Sequence, residues 1–303
     1  MEKTHWQKNI LLLLASLIWG CGFVAQSLCT RYIGPFTYVA IRSLLGGLFL
    51  LPCISLLGKG RKPEAEAGGK SAGRRSLLLS GTLCGAALCV ATLFQQAGIA
   101  YTTVGKTGFI TTLYIVFVPA VAWLSGKKPS KFLCIAVPVA LAGIYFLCMN
   151  ESISVNKGDV LVLLCALCYT GHILLIDRFA PQTDGVQMSC LQLFVCAALS
   201  SVPMLLWERP DLSGILAAAW PLLYSGILSC AVAYTLQILG QKNNDPTVSS
   251  LLLSLEAVFA AIVGWLFLQQ AMSGREVLGC VLMFAAIILA QIPNKKTSLP
   301  GES

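Results

Sequence analysis

The sequence predicts an all-α integral membrane protein of ten transmembrane helices, built as two inverted five-helix repeats. Three observations predict it. Long apolar stretches alternate with short charged segments. Positive charge is spread unevenly between alternate segments. The second half of the chain repeats the first at a nearly constant offset.

The apolar stretches come first. Of 303 residues, 56% are hydrophobic and only 11% charged, whereas a soluble domain carries roughly a quarter charged residues. Lipid must therefore cover most of the surface. A helix needs roughly 20 apolar residues to cross a bilayer core. Ten stretches meet this: 10–28, 35–57, 76–100, 103–125, 132–149, 159–177, 187–207, 215–240, 246–268 and 276–292. Backbone in lipid must satisfy its own hydrogen bonds, which makes these stretches helices. The longest connection is the basic segment 58–75. That leaves no room for a soluble catalytic domain within 1–303.

Charge then orients the helices. With the N-terminus inside, the inner segments carry fifteen Lys and Arg residues and the outer ones five (Arg31, Lys106, Lys157, Arg209 and Arg275). The positive-inside rule puts both termini in the cytoplasm of a multi-pass plasma-membrane protein. This distribution accounts for the net charge of +8 without nucleic acid as a partner. Membrane lipid is one partner, a small-molecule solute the other, and a homodimer is left open.

The repeat divides the chain into a tail 1–9, a first repeat 10–149, a second repeat 150–292 and a tail 293–303 expected to be disordered. At an offset of 150, LLLLASLIWG from Leu11 lies on LVLLCALCYT from Leu161, pairing Trp19 with Tyr169 and Arg42 with Gln192. At an offset of 142, Thr102 to Trp123 lies without a gap on Asn244 to Trp265, and Gln95 pairs with Gln237. Five helices per half is odd, so the second half enters the membrane from the opposite side. Such inverted repeats recur in secondary transporters, where the halves rock around a midplane site.

Several stretches resemble the EamA-type branch of the drug/metabolite transporter superfamily. In the first half these are LIWGCGF from Leu17, PFTYVAIRSLLGG from Pro35 and GKTGFITTLYIVFVP from Gly105. In the second they are AYTLQILGQKNNDP from Ala233 and LLLSLEAVFAAIVGWLFL from Leu251. The resemblance runs over about 10–292 and implies a ten-helix exporter or exchanger of small metabolites. Ala257 stands where the family often has Pro, and Gln269 and Gln270 where it often has an acid.

Candidate site residues follow from position. Glu256 lies near the middle of its stretch, where an ionisable group costs roughly 2.5–3.5 kcal/mol and usually faces a cavity or a partner. If transport is proton-coupled, Glu256 is the proton carrier. Its repeat partner is Tyr114, and Trp19 and Tyr169 are equivalent and central. These four are expected to line one cavity with aromatic walls. Arg42 and Gln95 sit toward the outer ends of their stretches, Gln192 and Gln237 toward inner ends, as mirrored residues at two mouths. For Arg42, snorkelling to the interface is the competing reading. Lys106 is expected to snorkel, His172 to be a polar packing residue, and Gly81 and Gly85 (GxxxG) to pack helices closely. Cys165 and Cys168 form a CxxC in an apolar helix and are expected to pack rather than react.

The predicted function is a secondary transporter that moves a small metabolite or drug-like solute by alternating access, in export or exchange. No phosphate-binding or dinucleotide glycine motif occurs, so no cofactor is expected. An intramembrane lipid-modifying enzyme is the alternative and would need a cluster of carboxylates or histidines. A channel is the other, and would need a ring of charges or carbonyls.

Overall fold

The computed structural model describes residues 2–58, 69–102, 104–126, 131–148, 156–268 and 273–290. Every regular element among them is helical. Eight helical segments are long and apolar enough to cross a membrane, and Lys131–Phe146 is a shorter apolar helix. The chain is thus a multi-pass membrane protein. Gln269, Gln270 and the tail 293–303 lie outside the described residues, as does most of the basic segment.

The first half contains α1 (Glu2–Cys29), α2 (Pro35–Gly58), α3 (Gly69–Ile99), α4 (Val104–Thr111), α5 (Tyr114–Leu124) and α6 (Lys131–Cys148). The second contains α7 (Lys157–Phe179), α8 (Gly185–Pro203), α9 (Leu212–Ala217), α10 (Ala219–Leu223), α11 (Tyr234–Gln241), α12 (Pro246–Leu253), α13 (Glu256–Leu268) and α14 (Gly274–Ala290). Two stretches are π-helical, Met204–Glu208 and Tyr224–Ala233.

The helix starts are written locally. Asn156 and Asp159 form a reciprocal capping box at α7, and Ser273 and Glu276 do so at α14. Asp184 caps α8 and Asp245 caps α12 through their carboxylates. At α2, Gly34 stands where α8 has Asp184, and the cap arrives from the other half of the chain. Glu208 accepts from Phe36 N at 2.9 Å, Thr37 N at 2.6 Å and the Thr37 hydroxyl at 2.7 Å. A side chain at position 34 would collide with that carboxylate. Glu208→Ala is expected to cost about 0.5–2 kcal/mol, the usual range for a lost cap, and thermal unfolding of the purified protein checks it. An unchanged midpoint would mean that the clamp contributes nothing.

The stretches 103–125 and 246–268, expected to be continuous, are each broken. The breaks fall at Thr112–Leu113 and Ser254–Leu255. Thr112 Oγ1 bonds the Phe109 carbonyl at 2.9 Å, and Ser254 Oγ bonds that of Leu251 at 2.8 Å. A hydroxyl bonded back to its preceding turn competes with regular helix geometry and bends the chain. Leu113 N and Leu255 N bond three residues back, to Ile110 and Leu252, which tightens the turn.

Small residues set the packing. A β-carbon on Gly98 would lie 2.6 Å from Val162 and 3.0 Å from the Gly158 carbonyl. One on Gly240 would lie 2.7 Å from Leu12 and 3.0 Å from the Lys8 carbonyl. Gly81 and Gly85 face Leu191 and Val195 of α8 in the same close manner, as the GxxxG spacing predicts. Cys165 is a buried free thiol, and Cys168 is free and half-buried.

Two large apolar cores result. One gathers Ile115, Val118, Ile144, Leu251, Val258 and Met283 around α5, α6, α12, α13 and α14. The other gathers Tyr38, Leu88, Cys190, Leu193, Leu222 and Cys230 around α2, α3, α8, α10 and the second π segment. Trp19 and Tyr169 touch both. On the outer surface large apolar side chains stay exposed, Leu124 at 83% and Trp220 at 84%, as lipid-facing residues do.

Candidate functional site

Between the two cores lies a cavity of about 510 Å³, counted as space free of protein atoms out to its mouth. Of the eight residues singled out from the sequence, seven line it, Trp19, Arg42, Gln95, Tyr114, Tyr169, Gln237 and Glu256, and Gln192 does not.

The helix breaks place the central pair. Tyr114 is the first residue of α5 and Glu256 the first of α13. They are 4% and 6% exposed, and the Tyr114 hydroxyl donates to Glu256 Oε1 at 3.3 Å. An acidic side chain in the first turn also suits the positive end of the helix dipole.

The aromatic walls are hydrogen-bonded into position. Trp19 Nε1 donates to the Ser229 carbonyl at 3.1 Å. That carbonyl belongs to the π-helical stretch, where the wider turn departs from the regular ladder. Tyr224 on the same stretch donates its hydroxyl to the Ile18 carbonyl at 2.7 Å. The Trp19 ring packs against Tyr234 with centroids 4.9 Å apart. The hydroxyls of Tyr169 and Tyr234 are 3.3 Å apart and share a hydrogen bond. Behind them His172 meets both rings edge-on.

The amides differ from one another. Gln95 is tied on both ends, its oxygen accepting from Gln26 Nε2 at 3.0 Å and its nitrogen donating to Thr111 at 3.2 Å. Gln237 is 2% exposed, and its amide oxygen has no partner. Arg42 is 2% exposed, so it lines the cavity and does not snorkel to an interface. Gln192, its repeat counterpart, sits behind the wall. Its oxygen meets His172 Nε2 at 3.1 Å, and it does not line the cavity. Lys106 is also elsewhere. It lies 3.9 Å from Asp159, which accepts from the Thr102 hydroxyl at 2.6 Å.

Gln26, Thr111, Ser229 and Tyr234 also line the cavity and were missed from the sequence. Gln26 carried a signal, being an amide inside an apolar stretch. The part of Ser229 is played by a backbone carbonyl, which side-chain identity does not reveal. Among the described residues, no three His, Cys, Asp or Glu side chains group as a metal site.

Comparison with known proteins agrees with this architecture. The model of the EamA-like transporter family matches residues 6–149 and again 156–291. An uncharacterized transporter of Archaeoglobus fulgidus is 27% identical over 93% of this chain and 84% of its own. The uncharacterized transporter YwfM of Bacillus subtilis is 26% identical over 95% of each. Protein PecM of Dickeya dadantii is 38% identical over a shorter region, 33% of this chain and 34% of its own. One crystal structure superposes with a TM-score of 0.76 at 19% identity, covering 94% of this chain and 96% of that one, and so shares its fold. A family model that matches twice, across nearly the whole chain, around a cavity between two helical cores, places the protein in the EamA-like transporter family.

Proposed function

We propose that the protein is a secondary carrier that moves a small solute through this cavity by alternating access, in export or exchange, and is not an enzyme. In this reading it consists of two inverted five-helix repeats, 10–149 and 150–292, with both termini in the cytoplasm. The observation that carries the reading is the contact between Tyr114 and Glu256. These residues are 142 apart, equivalent in the repeat, and each opens the second half of a broken helix. Equivalent residues that touch lie on or near the axis relating the halves, where a carrier's site belongs.

Packing supports the same relation. Gly98 meets Gly158 and Val162, while Gly240 meets Lys8 and Leu12, the counterparts at offsets of 142 and 150. Gly85 meets Gln192 and Val195, while Gly226 meets Arg42 and Leu45. Here the glycines are 141 apart, one fewer than Gln95 and Gln237. The π-helical stretch Tyr224–Ala233 contains Gly226 and runs on toward Gln237, and a π turn absorbs one inserted residue.

The reading is tested by cysteines placed singly at Trp19, Tyr169 and Tyr114, in a protein whose thirteen native cysteines are replaced. A membrane-impermeant maleimide is expected to label them from at least one side, in a pattern that a transported solute changes. Positions that stay unlabelled from both sides would remove the carrier reading.

A further inference from the structure

The charge of the solute can be read from Arg42, given the carrier reading above. The guanidinium is almost wholly buried at the cavity wall. Nη1 donates to the Tyr38 hydroxyl at 3.2 Å, and the guanidinium carbon lies 5.0 Å from the centre of that ring. Tyr38 in turn donates to Ser225 at 2.9 Å. Nε has no hydrogen-bond partner.

No carboxylate among the described residues lies within 4.0 Å of the guanidinium. The ionisable side chains around it are thiols such as Cys196 and Cys230 and the phenols of Tyr38, Tyr169 and Tyr234, groups that are ordinarily neutral at neutral pH. Glu256, the cavity's own carboxyl group, bonds Tyr114 instead. A guanidinium keeps its charge in any protein environment, and a buried charge demands a partner of opposite sign. The protein supplies one neutral hydroxyl and one ring face.

We propose that the solute supplies the missing charge, so that this cavity takes a small organic anion bearing a carboxylate. Its carboxylate sits on the guanidinium, whose planar fork of N–H donors matches two carboxylate oxygens. Its apolar body lies against Trp19, Tyr169 and Tyr234. A donor group on it meets the partnerless amide oxygens of Gln26 and Gln237, both of which belong to lining residues.

The test is thermal unfolding of the full chain in a non-ionic detergent with matched probes: benzoate, 4-hydroxybenzoate, indole-3-acetate and 2-hydroxyisocaproate, each beside its primary amide. Binding to the folded state raises the unfolding midpoint. At least one acid is expected to stabilise the wild type where its amide does not. Arg42→Gln is expected to weaken that acid's binding by roughly 10- to 100-fold, as loss of a charge-assisted hydrogen bond does. Arg42→Lys keeps the charge and is expected to retain part of the effect. If Arg42→Gln does not fold, the acid–amide contrast on the wild type and the Lys variant decide the matter. Amides that bind as well as their acids, or acids indifferent to both substitutions, would overturn the anion and leave the carrier standing. No stabilisation by any acid at millimolar concentration would also overturn it, and cysteine labelling judges the carrier separately.

Discussion

Glu256→Leu is expected to lower solute counterflow in proteoliposomes by roughly 10- to 100-fold, while the protein still folds. The carboxyl group accepts from Tyr114, and both side chains are buried at the cavity. An alkyl group there leaves a buried hydroxyl without its acceptor, at a cost of about 1–3 kcal/mol. It also removes the polar group that marks the centre of the cavity. A 10- to 100-fold loss of flux corresponds to about 1.4–2.8 kcal/mol less stabilisation of the solute-bound or interconverting states. Glu256→Gln keeps an acceptor for Tyr114 and is expected to retain the fold's full stability. Its flux separates two roles. If the Gln variant transports like the wild type at every pH, Glu256 carries no proton and serves as a hydrogen-bonding wall. Wild-type flux in the Leu variant would remove Glu256 from the mechanism.

The second large effect lies one residue from Trp19. Gly20→Ala is expected to destabilise the protein by about 1–3 kcal/mol, the usual cost of overpacking, and to depress transport with it. The new methyl would stand 2.7 Å from the Glu256 carbonyl and from Phe259 Cβ, and 2.9 Å from Ala260 N. Two of these are backbone atoms, so relief requires α1 and α13 to separate. Those helices carry Trp19 and Glu256, and separation opens the cavity between them. Gly171 on α7 is the control, because a β-carbon there meets nothing within 4 Å. Gly171→Ala in a helix interior is expected to be neutral or stabilising by up to about 1 kcal/mol. The pair is compared by thermal unfolding and by counterflow. Equal midpoints for the two variants would show that α1 and α13 are not held at this distance.

Much of this architecture was written along the chain. Hydropathy and low charge mark the membrane-spanning segments, because burial in lipid is a property of each segment alone. The repeat made Tyr114 and Glu256, and Gln95 and Gln237, counterparts before their neighbours were known. Midplane position singled out Glu256, since a buried ionisable group is costly anywhere in a bilayer. Of the eight residues singled out by position and repeat, seven line one cavity and Gln192 does not.

Other features were decided by tertiary contact. The breaks at Thr112 and Ser254 carry hydroxyls bonded to their own preceding turn, but Thr92 and Thr170 make the same kind of bond inside unbroken helices, so the local sequence alone does not announce them. The cap of α2 comes from Glu208, 171 residues beyond Thr37. Arg42 was expected at a mouth, with snorkelling to the interface as the competing reading, and the packed helices bury it at the cavity wall. Gln192 shares its repeat position, but His172 holds it behind the wall. A segment's affinity for lipid is a sum over its own residues, so it is legible in one dimension. Which polar group faces the cavity, and which is satisfied behind it, depends on partners that other helices bring up, as Ser229 for Trp19, Glu256 for Tyr114 and His172 for Gln192, and is settled only when the helices pack.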